Sequence, residues 1–227
     1  MLDERLSLAA SMYEPCEWGA DIGTDHAFLP CYLLRTGICQ QMIAADVSPK
    51  ALERAREILT RQHLIDRADV VLANGLDAIT HPCGCISIMG MGGETMADII
   101  RRGQNKLHGA VLVLGAHTEL HLVRQAILEV GYHIVQERLC KAAGRFYVFW
   151  RAEEGSASIS EDEIRYGRIL WQEKNQTLLR EYASWRKRVH QDRLQGLLSA
   201  VNQDIETIRM VQADINWYTS KLEELTC

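Results

Sequence analysis

Three aspartates and two glycine-rich turns in the first half of the chain have the types and spacing to hold a nucleotide-like ligand. Asp21-Ile22-Gly23-Thr24-Asp25-His26 follows the short apolar run 18–20 and leads into the apolar-periodic stretch 27–34. That order reads as a strand, a tight glycine turn and a helix start. A second apolar run, 42–45, ends in Asp46 and Val47. A glycine turn at one strand tip and a carboxylate at the next is how α/β sheets hold the adenosine part of a nucleotide-like cofactor. Only one glycine stands where a dinucleotide site would carry G-x-G-x-x-G beneath a pyrophosphate, which argues against NAD. A cofactor without phosphate, such as S-adenosylmethionine, needs close backbone approach at one glycine, polar groups for its amino-acid end and a carboxylate for its ribose hydroxyls. Asp21, Gly23 and Asp46 can supply these. The plainer reading is that Asp25 caps the following helix and Asp21 is a solvated strand end; Asp46 at the next strand tip weighs against it.

Two further turns carry candidates. Asn74-Gly75-Leu76-Asp77 follows a third apolar run. A side-chain amide there can read an adenine edge, although Asn-Gly is also a strong turn pair in its own right. Met89-Gly90-Met91-Gly92-Gly93-Glu94 follows a fourth run. Three glycines in four positions at a strand end leave backbone groups open to a close neighbour. A flexible loop is the alternative, and Glu94 has a sufficient reason to be there in the helix dipole.

The elements that must position these residues are read from periodicity. Over 1–151, apolar runs at 18–22, 41–46, 68–73, 85–89, 110–114, 132–138 and 146–150 alternate with amphipathic stretches at 49–62, 94–102 and 119–130. Strand–helix alternation predicts a parallel sheet covered by helices. The last two runs have no helix between them, so they are expected to pair antiparallel across 140–144. Five β/α units closed by a β-hairpin make an α/β domain with the seven-stranded, Rossmann-like sheet of the class I methyltransferases. The polar stretch Glu153-Glu154-Gly155-Ser156-Ala157-Ser158 is the predicted boundary, giving domains 1–154 and 155–227. Beyond it, Leu194, Leu198, Val201, Ile205, Ile208, Val211, Ile215, Tyr218, Leu222 and Leu225 recur in steps of three and four, and Trp171, Leu178 and Trp185 in steps of seven. That is a heptad-like seam. One rod of about 65 residues would span roughly 100 Å, so an α-helical coiled-coil hairpin turning near 199–204 is the expected form.

The bulk numbers narrow the class. The chain has 227 residues, 47% hydrophobic and 24% charged, with a formal net charge of −5, ordinary for a globular protein. There is no apolar run of about 18 residues, so no membrane span is expected. Residues 1–5 lack a basic-then-apolar signal pattern, and a cytoplasmic protein is expected. The acidic balance does not favour nucleic acid, although a local basic patch would suffice. The seven cysteines, Cys16, Cys31, Cys39, Cys83, Cys85, Cys140 and Cys227, read as buried free thiols. Cys83-Gly84-Cys85 lacks the second pair of a zinc site, and the scattered histidines suggest no metal.

The segments Asp21-Ile22-Gly23-Thr24-Asp25-His26-Ala27-Phe28-Leu29-Pro30-Cys31-Tyr32 and Gly90-Met91-Gly92-Gly93 resemble the bacterial tRNA (adenine-22-N1)-methyltransferase family, TrmK. The resemblance covers nearly the whole chain: a sheet domain, a glycine loop in place of an Asn/Asp-Pro-Pro-aromatic motif, and a helical hairpin. This chain differs from the family pattern at Thr24 and Phe28, at Leu114-Gly115-Ala116-His117 and across 142–148, changes that fall mainly on the substrate side.

The resemblance implies transfer of a methyl group from S-adenosylmethionine to adenine N1 of tRNA. Adenine N1 has a free lone pair, so the main task is positioning; charge developing on the base favours a nearby carboxylate. Asp25 is the candidate for that role, with His26 shaping the pocket. Asp21, Gly23, Thr24, Asp46, Val47, Asn74, Gly75, Leu76, Gly90 and Met91 are the candidate cofactor contacts. N1 lies on the pairing edge, so the base must be turned out. Phe28 and Tyr32 are the candidate aromatic surfaces, with Gly92, Gly93 and His117 beside them. The hairpin is the expected tRNA-gripping arm, and Arg186-Lys187-Arg188 its basic cluster, although from Ala152 onward ten Lys/Arg face thirteen Asp/Glu, a net of −3. A monomer is expected. Two other readings remain open: a catalytically altered RNA- or protein-binding module, and a small-molecule methyltransferase.

Overall fold

A computed structural model describes residues 2–200, 202 and 204–225. Strands β1 (Cys16–Ile22), β2 (Cys39–Asp46), β3 (Ala68–Leu72), β4 (Cys85–Met89), β5 (Val111–Ala116), β6 (Tyr132–Ala142) and β7 (Arg145–Glu154) form one sheet in the order β3-β2-β1-β4-β5-β7-β6. The first five run parallel, and β7 is antiparallel to both of its neighbours. The seven-stranded sheet and its closing hairpin are those expected. Strands buried on both faces need continuous apolar runs; Ile43, Ala44, Ile86, Ile88, Leu112 and Leu114 are all fully buried.

Five helices belong to the sheet domain: α1 (Glu4–Ser11), α2 (Phe28–Thr36), α3 (Pro49–Arg61), α4 (Gly93–Arg102) and α5 (Leu120–Glu129). Two of them begin at clear capping residues. Asp3 caps α1 by accepting from the Leu6 N–H, and Ser48 caps α3 with Pro49 in its first turn. Helix α1 was not expected from the apolar pattern, because its eight residues bury only Ala9 and Ala10. The β6–β7 hairpin is longer than expected. Pairing runs to Ala142 opposite Arg145, and Ala143 and Gly144 both take positive φ, as a two-residue hairpin turn with the twist of its strands requires.

The order of the strands sets where a ligand can sit. Chain order runs outward from β1 in one direction and from β4 in the other, so the β1/β4 border is the topological switch point. In open α/β sheets the crevice at that point, beyond the carboxyl ends of the strands, receives ligands. All the candidate turns of the sheet domain lie at that edge, together with the start of the antiparallel β7.

Two compact units divide the chain, 1–170 and 171–227. The polar stretch at 153–158 ends β7, yet residues 159–170 still belong to the first unit. Helix α6 (Glu161–Tyr166) starts at a capping box of Ser160 and Glu163, and a buried ion pair ties residues 164–170 to the sheet domain. Arg124 and Glu137 side chains are 2% and 1% exposed and meet at 2.6 Å. Arg124 also donates to the Ile164 carbonyl at 3.0 Å, while Glu137 accepts from the Trp150 indole at 2.8 Å and from the Leu170 N–H at 3.1 Å.

The second unit is a helical hairpin of α7 (Gln176–Ser199) and α8 (Ile205–Glu224), its turn falling within the expected 199–204. Asn175 and Asp204 cap the two helices. The apolar series divides differently from the seam expected of it. Trp171 lies in a short 3₁₀ turn ahead of α7, and its ring meets Trp217 at 5.0 Å. Leu198 and Ile205 flank the turn and are exposed, whereas Val211, Ile215 and Tyr218 are buried. Val201 of that series and Cys227 lie outside the described residues. No described helix is long and apolar enough to cross a membrane.

Breaking a buried ion pair from one side leaves an uncompensated charge, at a cost of about 3–5 kcal/mol. Arg124→Ala is therefore expected to lower unfolding stability by about that amount, and the double change Arg124→Met with Glu137→Leu to recover only part of the loss, because it leaves the Trp150 indole and the Leu170 N–H without their acceptor. Urea unfolding measures both; a single variant as stable as the parent would show that the pair does not anchor 161–170.

Candidate active site

At the tip of β1 the chain turns on Gly23, whose φ is +82° and whose N–H donates to the Ala45 carbonyl at 2.8 Å. A side chain there would be strained, and its Cβ would also lie 2.9 Å from the Met89 carbonyl and 3.1 Å from Met91. The turns after β1 and β4 are thus pressed together across the switch point. The turn after β4 presses in turn on the one after β5. A Cβ on Gly93 would lie 2.3 Å from the Thr118 carbonyl, and the Gly93 N–H donates to the Thr118 hydroxyl at 3.4 Å. Gly90, by contrast, faces open space.

Three aspartates around this turn sit in three environments. Asp46, half-buried, accepts from the Asp25 N–H at 3.3 Å through one oxygen and from the Ser48 N–H at 2.9 Å through the other. Those bonds fix the carboxylate and leave it further acceptor sites. Asp25 is exposed, with φ +45°, and Ala27 is at +52°; two such residues in a three-residue span are strained in the way that clusters at functional sites. The Asp25 carboxylate contacts the guanidinium of Arg54 and lies 2.7 Å from His26 Nδ1. Its slight burial pushes its pKa up, but the Arg54 and His26 hydrogen bonds outweigh that and hold it below the usual carboxylate range.

Asp21 is the unusual one. It is 4% exposed and accepts from the Ser87 hydroxyl at 2.6 Å. Burial raises its pKa; the Ser87 hydroxyl opposes this, and no basic side chain contributes. The Thr24 hydroxyl lies near enough to favour the charged form of Asp21, yet has no partner in hydrogen-bond geometry among the described residues. A buried carboxylate without a cation is costly, and a ligand that brings a cation would offset that cost.

These features fit S-adenosylmethionine. Its ammonium suits Asp21, its carboxylate a hydroxyl such as that of Thr24, and its ribose diol Asp46. Val47 and Leu72 are 67% and 59% exposed at adjacent strand tips, an apolar surface of the kind a purine face covers. Asn74 is exposed and makes no capping hydrogen bond, which leaves its amide for an adenine edge. Gly75 and Leu76 are buried against α4, Gly75 beside Ile99 and Leu76 beside Gly103, so only their backbone can serve.

On the outer side, Phe28 is 47% exposed and stacks on His26, ring centroids 5.3 Å apart and nearly parallel. Tyr32 is different: it packs against the hydrophobic core. His117 lies 5.4 Å from the Tyr147 ring, and Arg5 sits over that ring at 5.2 Å. Within the helical unit, Arg186 donates to the Tyr218 hydroxyl at 3.2 Å, lies 3.1 Å from His190 Nε2 and covers the Trp185 and Tyr218 rings. It is built into the hairpin, while Lys187 is half-buried and Arg188 exposed.

Sequence reasoning did not single out Arg54, Ser87, Tyr13, Tyr147 or Thr118. Arg54 reads as one more cation on an amphipathic helix, and Ser87 as a polar interruption in an apolar strand. Only the fold shows what they face.

Comparison with known proteins agrees with this geometry. The model of the tRNA (adenine(22)-N(1))-methyltransferase family TrmK matches residues 19–222. A Bacillus subtilis (strain 168) protein named tRNA (adenine(22)-N(1))-methyltransferase is 28% identical over 189 residues, covering 80% of this chain and 79% of its own. A Streptococcus pneumoniae structure named as a candidate tRNA (m1A22) methyltransferase superposes with a TM-score of 0.88 at 27% identity, covering 98% of this chain and 100% of its own. The same S. pneumoniae protein solved in complex with S-adenosyl-L-methionine superposes with a TM-score of 0.83 at 28% identity, again covering 98% and 100%. With nearly nine-tenths of its length matched by that model, the chain belongs to the TrmK family of tRNA (adenine(22)-N(1))-methyltransferases.

Proposed function

We propose that this protein methylates N1 of an adenine in tRNA, position 22 by its family, using S-adenosylmethionine. The observation that carries the reading is the juxtaposition at one sheet edge of Asp21, buried without a cation, Asp46, fixed with acceptor sites to spare, and the glycine turn 90–93 pressed against Gly23. S-adenosylmethionine supplies an electrophilic methyl group on a sulfonium.

The chain's own residues place the acceptor and accommodate its charge. Phe28, stacked on His26, offers a flat exposed face for a base turned out of the tRNA. Alkylation at N1 makes the adenine cationic. Asp25, held ionised by Arg54 and His26, is suited to stabilise that charge where it develops. A carboxylate whose pKa is lowered in this way favours its ionised form, so its part is electrostatic, and the N6 proton can leave to water afterwards. Backbone carbonyls in the turn 90–93 are the candidates to accept from the N6 amine. In the helical unit, Lys187 and Arg188 are the members of the basic cluster available to phosphate.

The direct test supplies purified protein with labelled S-adenosylmethionine and an unmodified tRNA transcript, beside a transcript with guanine at position 22. Label in the first and none in the second is expected; label in both, at sites other than N1, would refute the assignment.

Two variants separate binding from transfer. Asp25→Ala is expected to slow transfer by at least about 100-fold while calorimetric S-adenosylmethionine affinity stays within about twofold; near-parental transfer removes Asp25 from the chemistry. Asp46→Ala is expected to weaken cofactor affinity by about 10- to 100-fold, the loss of hydrogen bonds to a charged group; unchanged affinity removes it from the site. Arg54→Ala raises the Asp25 pKa by removing a group that lowers it, so the fall in transfer rate toward acid should begin at higher pH. A profile that coincides with the parent's would show that Arg54 does not act through Asp25.

A further inference from the structure

Behind Asp21 lies a hydrogen-bond chain that the reaction itself does not use. Ser87 sits on β4 directly opposite Asp21 in the parallel register and is fully buried. Tyr13, between α1 and β1, is 7% exposed, and its hydroxyl lies 2.7 Å from Ser87 Oγ and 2.9 Å from the Ala20 carbonyl. Ser87 Oγ lies 2.6 Å from the Asp21 carboxylate and 3.2 Å from the same Ala20 carbonyl.

Two hydroxyl protons serve these contacts. With Asp21 ionised, Ser87 donates to it at the shortest separation, and Tyr13 donates to Ser87 or to Ala20 at 2.7 or 2.9 Å. With Asp21 protonated, it donates to Ser87, Ser87 to the Tyr13 hydroxyl and Tyr13 to the Ala20 carbonyl, through the same short contacts. What favours the charged form is the short Ser87 donation to it. Burial also keeps the Tyr13 hydroxyl protonated, well above the usual tyrosine range, so it remains a donor. The chain thus opposes the burial that would neutralise Asp21.

We propose that Ser87 and Tyr13 are positioning residues for the cofactor, fixing through Asp21 an ionised carboxylate for the ammonium group of its amino-acid end. The proposal rests on the assignment of S-adenosylmethionine to this site. Besides Ser87 and Thr24, the group that acts on Asp21 is Asp46 from β2, whose charge pushes its pKa up; Tyr13 is itself faced by Cys39 and Cys85. The ammonium pairs with the ionised form of Asp21, so affinity falls as pH falls through the Asp21 pKa. Removing the Ser87 donor raises that pKa and moves the fall to higher pH.

The test is calorimetric binding of S-adenosylmethionine across a pH series by the whole chain and by Ser87→Ala, Tyr13→Phe, Asp21→Asn and the Asp21→Asn, Ser87→Ala double variant, with thermal unfolding as a fold check. Ser87→Ala is expected to weaken affinity about 10-fold at neutral pH with its acid fall displaced upward, Tyr13→Phe to do the same to a smaller degree, and Ser87→Ala to add less than about twofold once Asp21 is Asn. Should Ser87→Ala not fold, Tyr13→Phe alone carries the test through its pH profile. Parental affinity in both variants, or an equal loss at every pH that persists in the Asp21→Asn background, overturns the proposal. A parent chain that does not bind S-adenosylmethionine at all overturns instead the cofactor assignment beneath it.

Discussion

The β1 and β4 backbones meet where chain order reverses, and the separation there leaves no room for a side chain. Gly23 is held by the Ala45 carbonyl on one side and lies against Met89 and Met91 on the other. Because it turns left-handed at that point, Asp25 and His26 are carried over the sheet edge and Phe28 begins α2 facing outward. On the β4 side, a side chain at Gly90 would meet open space. A larger residue at position 23 would part the two turns and separate the acidic cofactor corner from the acceptor side. Sheet order determines that a crevice exists at this border; the missing Cβ determines that its two walls act on one ligand.

Around that contact the protein distributes three carboxylates by solvation. Asp21 is buried and lacks a cation; Asp46 is half-buried and tied to backbone amides; Asp25 is exposed and paired with Arg54 and His26. Chemically the groups are identical, and environment alone separates them. In the proposed reading the buried one is the partner for a cationic ligand, the tied one a rigid acceptor, and the exposed one a negative charge beside a stacking surface. Among the described residues Asp46 is the one charge that acts on Asp21, pushing its pKa up.

Much of this was legible in the residues. Alternating apolar runs predicted the parallel strands, and the missing helix between the last two runs predicted the antiparallel hairpin. Asp21, Gly23, Asp46 and the turn 90–93 do converge on one edge, because strand tips of a parallel sheet must. Less was legible where a side chain's role depends on what faces it. Leu76 sits in a polar turn yet fills a space beside Gly103, and Arg186 sits in a basic cluster yet is bound within the hairpin. Tyr13 and Ser87 lie 74 residues apart, and only register brings them together. Helix α1 buries too little apolar surface to show a period. The heptad-like series crosses a turn that no glycine or proline marks; the length of a single rod pointed to the hairpin near 199–204, while spacing alone did not show that Leu198 and Ile205 would be exposed.

The central claim is that this edge delivers a methyl group to adenine N1 of tRNA. Mass spectrometry of tRNA nucleosides from cells with and without the gene tests it most directly. Loss of N1-methyladenosine on deletion, restored by the parent chain and not by Asp25→Ala, is the predicted result. An unchanged N1-methyladenosine content after deletion would contradict the account.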